Sequence, residues 1–252
     1  MEFINLDTNY STTTDSFNAN FNLSNPLRKV EKIYLKSVEL PIGFTNIRTN
    51  FNSFVISIST TPTSNAFVNT TITLPNKNYT DINSLLTDIN ERLLSRAINI
   101  SFILDSNNNL VKIGKIGLIN KFYFTTSNLL NIILGFTNST TLSTVIVPIS
   151  TEIITAIRQP NLNFDNYISL FIKNIPHNSS SSNQLISFKI PLNSSGNIVY
   201  FNSENISFSQ YITITDQNLV VDKLQIVVYD RFGNQLTNNG FDYSLTVGFS
   251  FY

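Results

Sequence analysis

The sequence predicts a mainly β protein: an antiparallel β-sandwich carrying a small inserted α/β block that contains two helices. Three observations support this. Many short segments alternate apolar and polar residues with period two, the pattern of strands with one dry and one wet face. Asn, Gly and Pro turns break the chain at short intervals, as in sandwiches and barrels. Two stretches between residues about 72 and 137 change to helical periodicity.

Residues 1–16 are polar and aperiodic, ending in Ser11-Thr12-Thr13-Thr14-Asp15-Ser16. They are expected to form a flexible N-terminal arm. The sandwich is expected over 17–252. Phe17, Ala19, Phe21 and Leu23 alternate with Asn18, Asn20 and Asn22, which places apolar groups on one face and amides on the other. Segments 31–40 and 53–59 follow, the latter with Phe54, Ile56 and Ile58 between serines.

In the block at 72–137, Thr80 can cap a helix in which Ile82, Leu85, Leu86, Ile89 and Leu93 share a face. Asp81 lies at its positive end, and Arg92 and Arg96 near its negative end. A second helix is expected from Ser127 to a stop at Gly135. Segments 98–104, 110–116 and 121–125 read as strands between them. The block is either a decoration on the sandwich or a small subdomain.

Later strands are expected at 167–172, 186–190, 197–201, 206–214 and 223–228. The last is the cleanest. Tyr243, Leu245, Val247, Phe249 and Phe251 face one way, and Ser244, Thr246, Gly248 and Ser250 the other.

Composition narrows function. At 252 residues, the chain can bury about three-quarters of its unfolded surface. Sixteen basic and sixteen acidic residues cancel, so no basic field favours a nucleic-acid backbone, and no specific nucleic-acid partner is expected. Cysteine is absent, which removes disulfides, thiolate metal sites and cysteine nucleophiles. That fits assembly in a reducing compartment. The 37 Asn suit an AT-rich coding sequence rather than an amide-ladder tract, which would lack this Phe and Ile alternation. Met1-Glu2-Phe3-Ile4-Asn5 does not read as a signal peptide. No apolar run approaches the roughly 20 residues of a membrane span.

Motifs for chemistry are weak. The single histidine, His177, lies in the polar loop His177-Asn178-Ser179-Ser180-Ser181-Ser182-Asn183, without the elbow pattern of a serine hydrolase. Asp105-Ser106-Asn107-Asn108-Asn109 imitates the start of a calcium loop. However, Leu110 replaces its Gly and Ile116 its bidentate Glu, so a hairpin turn explains it better. Gly114-Lys115-Ile116-Gly117 is too short for a phosphate loop and sits within strand pattern. Asp222, Asp230 and Asp242 are near one another in sequence, but a glycosidase needs two carboxylates facing across a cleft. They read as strand-end and turn residues, with Gly233 or Asn234 supplying positive φ after Asp230-Arg231-Phe232. Most of the 20 Phe and 10 Tyr fall in phase with the strand core, leaving some outward as interface anchors. No catalytic, cofactor-binding or metal residue is assigned, and the chain is expected not to be an enzyme.

The order of elements nevertheless carries a resemblance. Ile33-Tyr34-Leu35-Lys36-Ser37-Val38-Glu39-Leu40-Pro41 ends a first strand pair. Leu74-Pro75-Asn76-Lys77-Asn78-Tyr79-Thr80 leads into the first helix, and Leu134-Gly135-Phe136 closes the second. Asp222-Lys223-Leu224-Gln225-Ile226-Val227-Val228-Tyr229-Asp230 and the terminal alternating strand complete the order. This sequence resembles the penton (vertex) and minor capsid proteins of protist-infecting double-stranded DNA viruses: virophages, polinton-like viruses and nucleocytoplasmic large DNA viruses. The resemblance covers most of the chain after residue 16. It implies a jelly-roll-type sandwich and a structural role in the virion, assembled in the host cell. It further implies a homo-oligomer, five copies at each vertex, with major capsid protein trimers as neighbours and no cofactor. A receptor- or glycan-binding module, such as a fibre head or adhesin, is the alternative role for such a sandwich.

Overall fold

The alternating segments fold as strands whose pairing divides the chain, in a computed structural model, into two compact units: Met1–Phe44 with Asp165–Tyr252, and Thr45–Phe164. The structure describes residues 1–49, 51–59, 66–115, 121–126, 128–136, 154–163, 165–175, 187–192, 198–203 and 210–252.

The first unit contains β1 (Glu2–Asp7), β2 (Asn18–Arg28) and β3 (Val30–Pro41). The second unit follows in the chain with β4 (Ser53–Ser59), β5 (Val68–Thr73), α1 (Ile82–Leu94), β6 (Ile100–Leu104), β7 (Val111–Lys115), β8 (Lys121–Thr126), α2 (Asn128–Leu134) and β9 (Ile154–Thr155). The chain then returns to the first unit as β10 (Tyr167–Ile172), β11 (Phe188–Pro191), β12 (Ile198–Asn202), β13 (Tyr211–Thr213), β14 (Val220–Tyr229) and β15 (Ser244–Phe251).

Among the described residues, one sheet of the first unit has the order β1-β15-β3-β12, with β13 also paired to β3, and the other runs β11-β10-β14-β2. All these pairs are antiparallel. With β12 and β13 counted together, the described residues of the unit form eight strands in chain order. The first pairs with the eighth, the second with the seventh, the third with the sixth and the fourth with the fifth. Four nested hairpin pairs rolled into two sheets make a jelly roll. The inward residues of both sheets form one core that includes Phe17, Ile33, Leu40, Leu170, Phe188, Ile226, Val247 and Phe249.

Residues 1–16 are not a flexible arm. Glu2–Asp7 pairs with Phe249 back to Ser244 and buries Leu6. Thr8 fixes the end of this strand. Its N–H donates to the Tyr243 carbonyl (3.0 Å) and its hydroxyl to Asp242 Oδ1 (2.9 Å), while the Tyr243 N–H donates to Thr8 Oγ1 (2.8 Å). Ser11 to Thr13 bind the edge of β2. The polar composition is real, but the main chain of residues 2–8 finds partners more than 200 positions away, which composition cannot register.

The inserted unit is also larger than the predicted block, 45–164 rather than about 72–137. Alternation over 53–59 marks a half-buried strand without saying which sheet it joins. In the structure β4 pairs with β5 and β8, inside the inserted unit. A second sheet there has the order β6-β7-β9. The helix α1 buries Leu85, Leu86, Ile89 and Leu93, as its spacing predicts. Its cap is Asp81 rather than Thr80. Asp81 is extended, and its carboxylate accepts the Ser84 N–H at 2.9 Å. Asn90, on the same helix, clamps β6 through both amide atoms: Nδ2 to the Phe102 carbonyl (2.8 Å) and the Phe102 N–H to Oδ1 (2.7 Å). The helix α2 starts at Asn128 and stops at Gly135, whose φ of 85° an L side chain adopts only with strain. A Cβ there would also lie 2.0 Å from the Arg158 carbonyl oxygen.

Candidate interaction surface

The residues weighed for chemistry are held apart by separate structural tasks. Asp105 to Leu110 form the turn between β6 and β7. The Asp105 N–H donates to the Leu110 carbonyl (2.9 Å), and Asn109 takes a φ of 56°. The Asp105 carboxylate receives Lys112 Nζ at 2.7 Å, a contact that holds its pKa below the usual carboxylate range. Gly114 lies within β7 opposite Ser101, and Ile116 and Gly117 fall outside the described residues. His177 also falls outside them.

The three C-terminal aspartates do not converge on one task. Asp222 is exposed in β14, at a register shift. Asp230 is fully buried and ties its own turn, accepting the N–H groups of Phe232 (2.8 Å) and Asn234 (2.9 Å), with Gly233 at φ 86°. Asp242 holds Thr8. Among the described residues, no group of three or more His, Cys, Asp and Glu side chains is arranged to hold a metal ion. No helix among them is long and apolar enough to cross a membrane.

What the fold does assemble is an aromatic row on the outer face of the first sheet. Register aligns Phe3 with Gly248, Gly248 with Tyr34, and Tyr34 with Tyr211. Their sequence neighbours Ile33, Leu35, Val247, Phe249 and Ile212 point into the core, so this row points outward. Phe3 and Tyr211 remain 54% and 51% exposed. Gly248 leaves room for the Phe3 ring, since a Cβ there would lie 3.0 Å from it.

Two lysines frame the row. Lys36 Nζ lies 5.4 Å from the Phe3 ring centre and Lys32 Nζ 5.4 Å from that of Tyr211, while the Tyr34 and Tyr211 rings pack at 5.6 Å. Each such cation–π contact contributes about 0.5–1 kcal/mol at an exposed site, a modest bias toward this ring arrangement. Tyr200, 70% exposed, stands on β12 opposite Glu39. Pre-ordered aromatic rings with apolar bodies and polar tips are the groups enriched at protein contacts. Sequence reasoning left some aromatics outward without naming them. Lys32-x-Tyr34-x-Lys36 was visible as alternation, but Phe3 and Tyr211 join it only through cross-strand register.

No family model matches this chain, and no curated protein does. Among solved structures, it is similar to the mavirus penton protein, with 14% identity, 99% of each chain covered and a TM-score of 0.46.

Proposed function

We propose that this chain is a structural capsid protein, the pentameric vertex subunit of an icosahedral double-stranded DNA virus. The observation that carries the proposal is the nested strand pairing of the first unit, a jelly roll with a second unit inserted between its third and fourth strands. Viral capsid and lectin domains both use this architecture, so the fold alone does not choose between them. The element order quoted above, which resembles vertex and minor capsid proteins, favours the capsid. In this reading the protein performs no catalysis and works in the virion. Each copy contacts the next through two different patches, as a closed five-fold ring requires. Major capsid protein trimers surround the ring.

Native mass spectrometry with negative-stain imaging of the purified protein tests this. Five-fold rings are the expected result, and a stable trimer or a persistent monomer would count against the vertex role. The outward row Phe3, Tyr34 and Tyr211 favours one second reading, a glycan- or receptor-binding module, because rings on the outer face of a sheet can stack on sugars. Retention on a glycan array that is lost in Tyr211→Ala, together with trimers in solution, would select it.

A further inference from the structure

Among the described residues, both sheets of the jelly roll end on the same side in a strand with no further strand paired to it, β1 on one and β2 on the other. Between these edges lies a cleft of about 490 Å³. Its floor is apolar: Ile4 and Leu6 from β1, Phe21 and Leu23 from β2, with Ile4 and Leu23 only partly buried against the core.

The rims carry free main-chain groups. On β2, the chain's own connection already uses part of the edge. The Thr12 N–H donates to the Asn20 carbonyl (2.9 Å), the Asn20 N–H to Ser11 Oγ (3.0 Å) and Thr13 Oγ1 to the Asn18 carbonyl (2.6 Å). That cover stops there. Alternate residues of a strand present their N–H and C=O to the same side, so those of Asn22 face the edge beyond it. On β1, the Thr8 N–H points to β15, so Phe3 and Asn5 direct theirs outward, while Asp7 caps the 3-10 turn Thr8–Tyr10.

Natural edges are usually blunted by Lys, Pro or a bulge. Glu2-Phe3-Ile4-Asn5-Leu6-Asp7 has no Lys or Pro and pairs without a register shift, whereas β2 is blunted beyond Asn22 by Pro26 and a register shift, so β1 is the open rim. The charges lining the cleft are Glu2 and Asp7, with no Lys or Arg among its lining residues.

We propose that the cleft between β1 and β2 accepts an extended segment of another protein chain, with apolar side chains at every second position and basic residues between them. Strand addition to the open rim supplies main-chain hydrogen bonds, and the apolar floor takes alternate side chains. Glu2, on the face of Ile4 and Leu6, and Asp7, on the opposite face at the other end of β1, each favour a basic residue at their own end of the segment and oppose a second copy of this edge. Residues 11–13 meet this edge as a bend, through one main-chain and two side-chain hydroxyl hydrogen bonds, and leave the stretch from Asn22 onward to a partner. The inference stands on the cleft and does not require the capsid role.

Hydrogen–deuterium exchange of the full-length protein, in whatever oligomeric state it adopts, tests the proposal. The probe is a capped nonapeptide alternating Lys and Val. One control replaces its Lys by Glu, and a second has the same composition with all Lys before all Val. The alternating basic peptide is expected to protect segments 2–7 and 20–25 saturably, with affinity at least tenfold above either control. The double variant Glu2→Lys with Asp7→Asn, which keeps an acceptor for the Asn9 N–H, is expected to lose at least tenfold of that affinity at an unchanged melting temperature. Four results would overturn the proposal: no saturable protection of those segments, equal response to all three peptides, undiminished binding by the folded variant, or protection of the segments by self-association without peptide. The unmodified protein alone can deliver three of these, so misfolding of the variant leaves the test intact.

Discussion

At the scale of single residues, Tyr243 shows how a core position can carry a polar group at little gain. Its ring is buried and meets Phe17 edge-on at 5.8 Å, but its hydroxyl has no hydrogen-bond partner among the described residues. Burial, reinforced by the negative charge of Asp15, pushes the phenol well above its ordinary pKa of about 10. The unfolded chain loses that proton near pH 10 while the folded chain keeps it. Stability is therefore full below about pH 10 and falls as pH rises beyond it. Tyr79 acts in the same direction through burial and its hydrogen bond to Asp88. Tyr243→Phe is expected to leave stability at pH 7 unchanged or higher, because it removes an unsatisfied buried hydroxyl. It is also expected to reduce the loss between pH 8 and 11 without abolishing it. Urea midpoints of both proteins across that range check the sign and the size.

At the scale of elements, β1 is the clearest case. It closes one side of a sheet by covering the edge of β15, and Thr8 locks its end to Asp242 and Tyr243. Deleting residues 2–7 removes Leu6 from the core and leaves β15 with an open, apolar edge, a template for intermolecular pairing. Such a deletion is expected to lower the thermal midpoint and produce aggregates, read by scanning calorimetry and light scattering. A mere arm would leave both unchanged. The terminal strand shows a smaller effect of the same kind. Phe251 shares parity with Phe249, but the register shift after Ser250 leaves it exposed.

At the scale of the whole molecule, the two units have separate cores. The jelly-roll core draws its buried residues from the segments Met1–Phe44 and Asp165–Tyr252. The inserted unit has its own, including Phe54, Phe102, Leu86 and Ile89, with the Phe54 and Phe102 rings 5.8 Å apart. Replacing residues 45–164 with a flexible Gly/Ser linker of about 15 residues is therefore expected to leave a cooperatively folding β protein. Far-ultraviolet circular dichroism and a single unfolding transition check this. A molten or aggregated product would mean that the jelly roll depends on its insertion.

Local pattern marks the class of most elements, though the strands β1, β5 and β9 escape it. Period-two alternation is a local property, and Phe17 to Phe21 and Tyr243 to Phe249 bury the residues it marks. Helical spacing likewise identified the buried face of α1, and the Asp105 and Asp230 turns follow from local side-chain chemistry. Tertiary structure alone decided which strands share a sheet. It moved 53–59 out of the sandwich, brought 2–7 into it, and set Phe3, Gly248, Tyr34 and Tyr211 in one row. The physical reason is that alternation records how deeply a strand is buried on each face. Pairing and register depend on which distant segments pack their side chains against one another and on the turns that join them, and a local pattern does not report either.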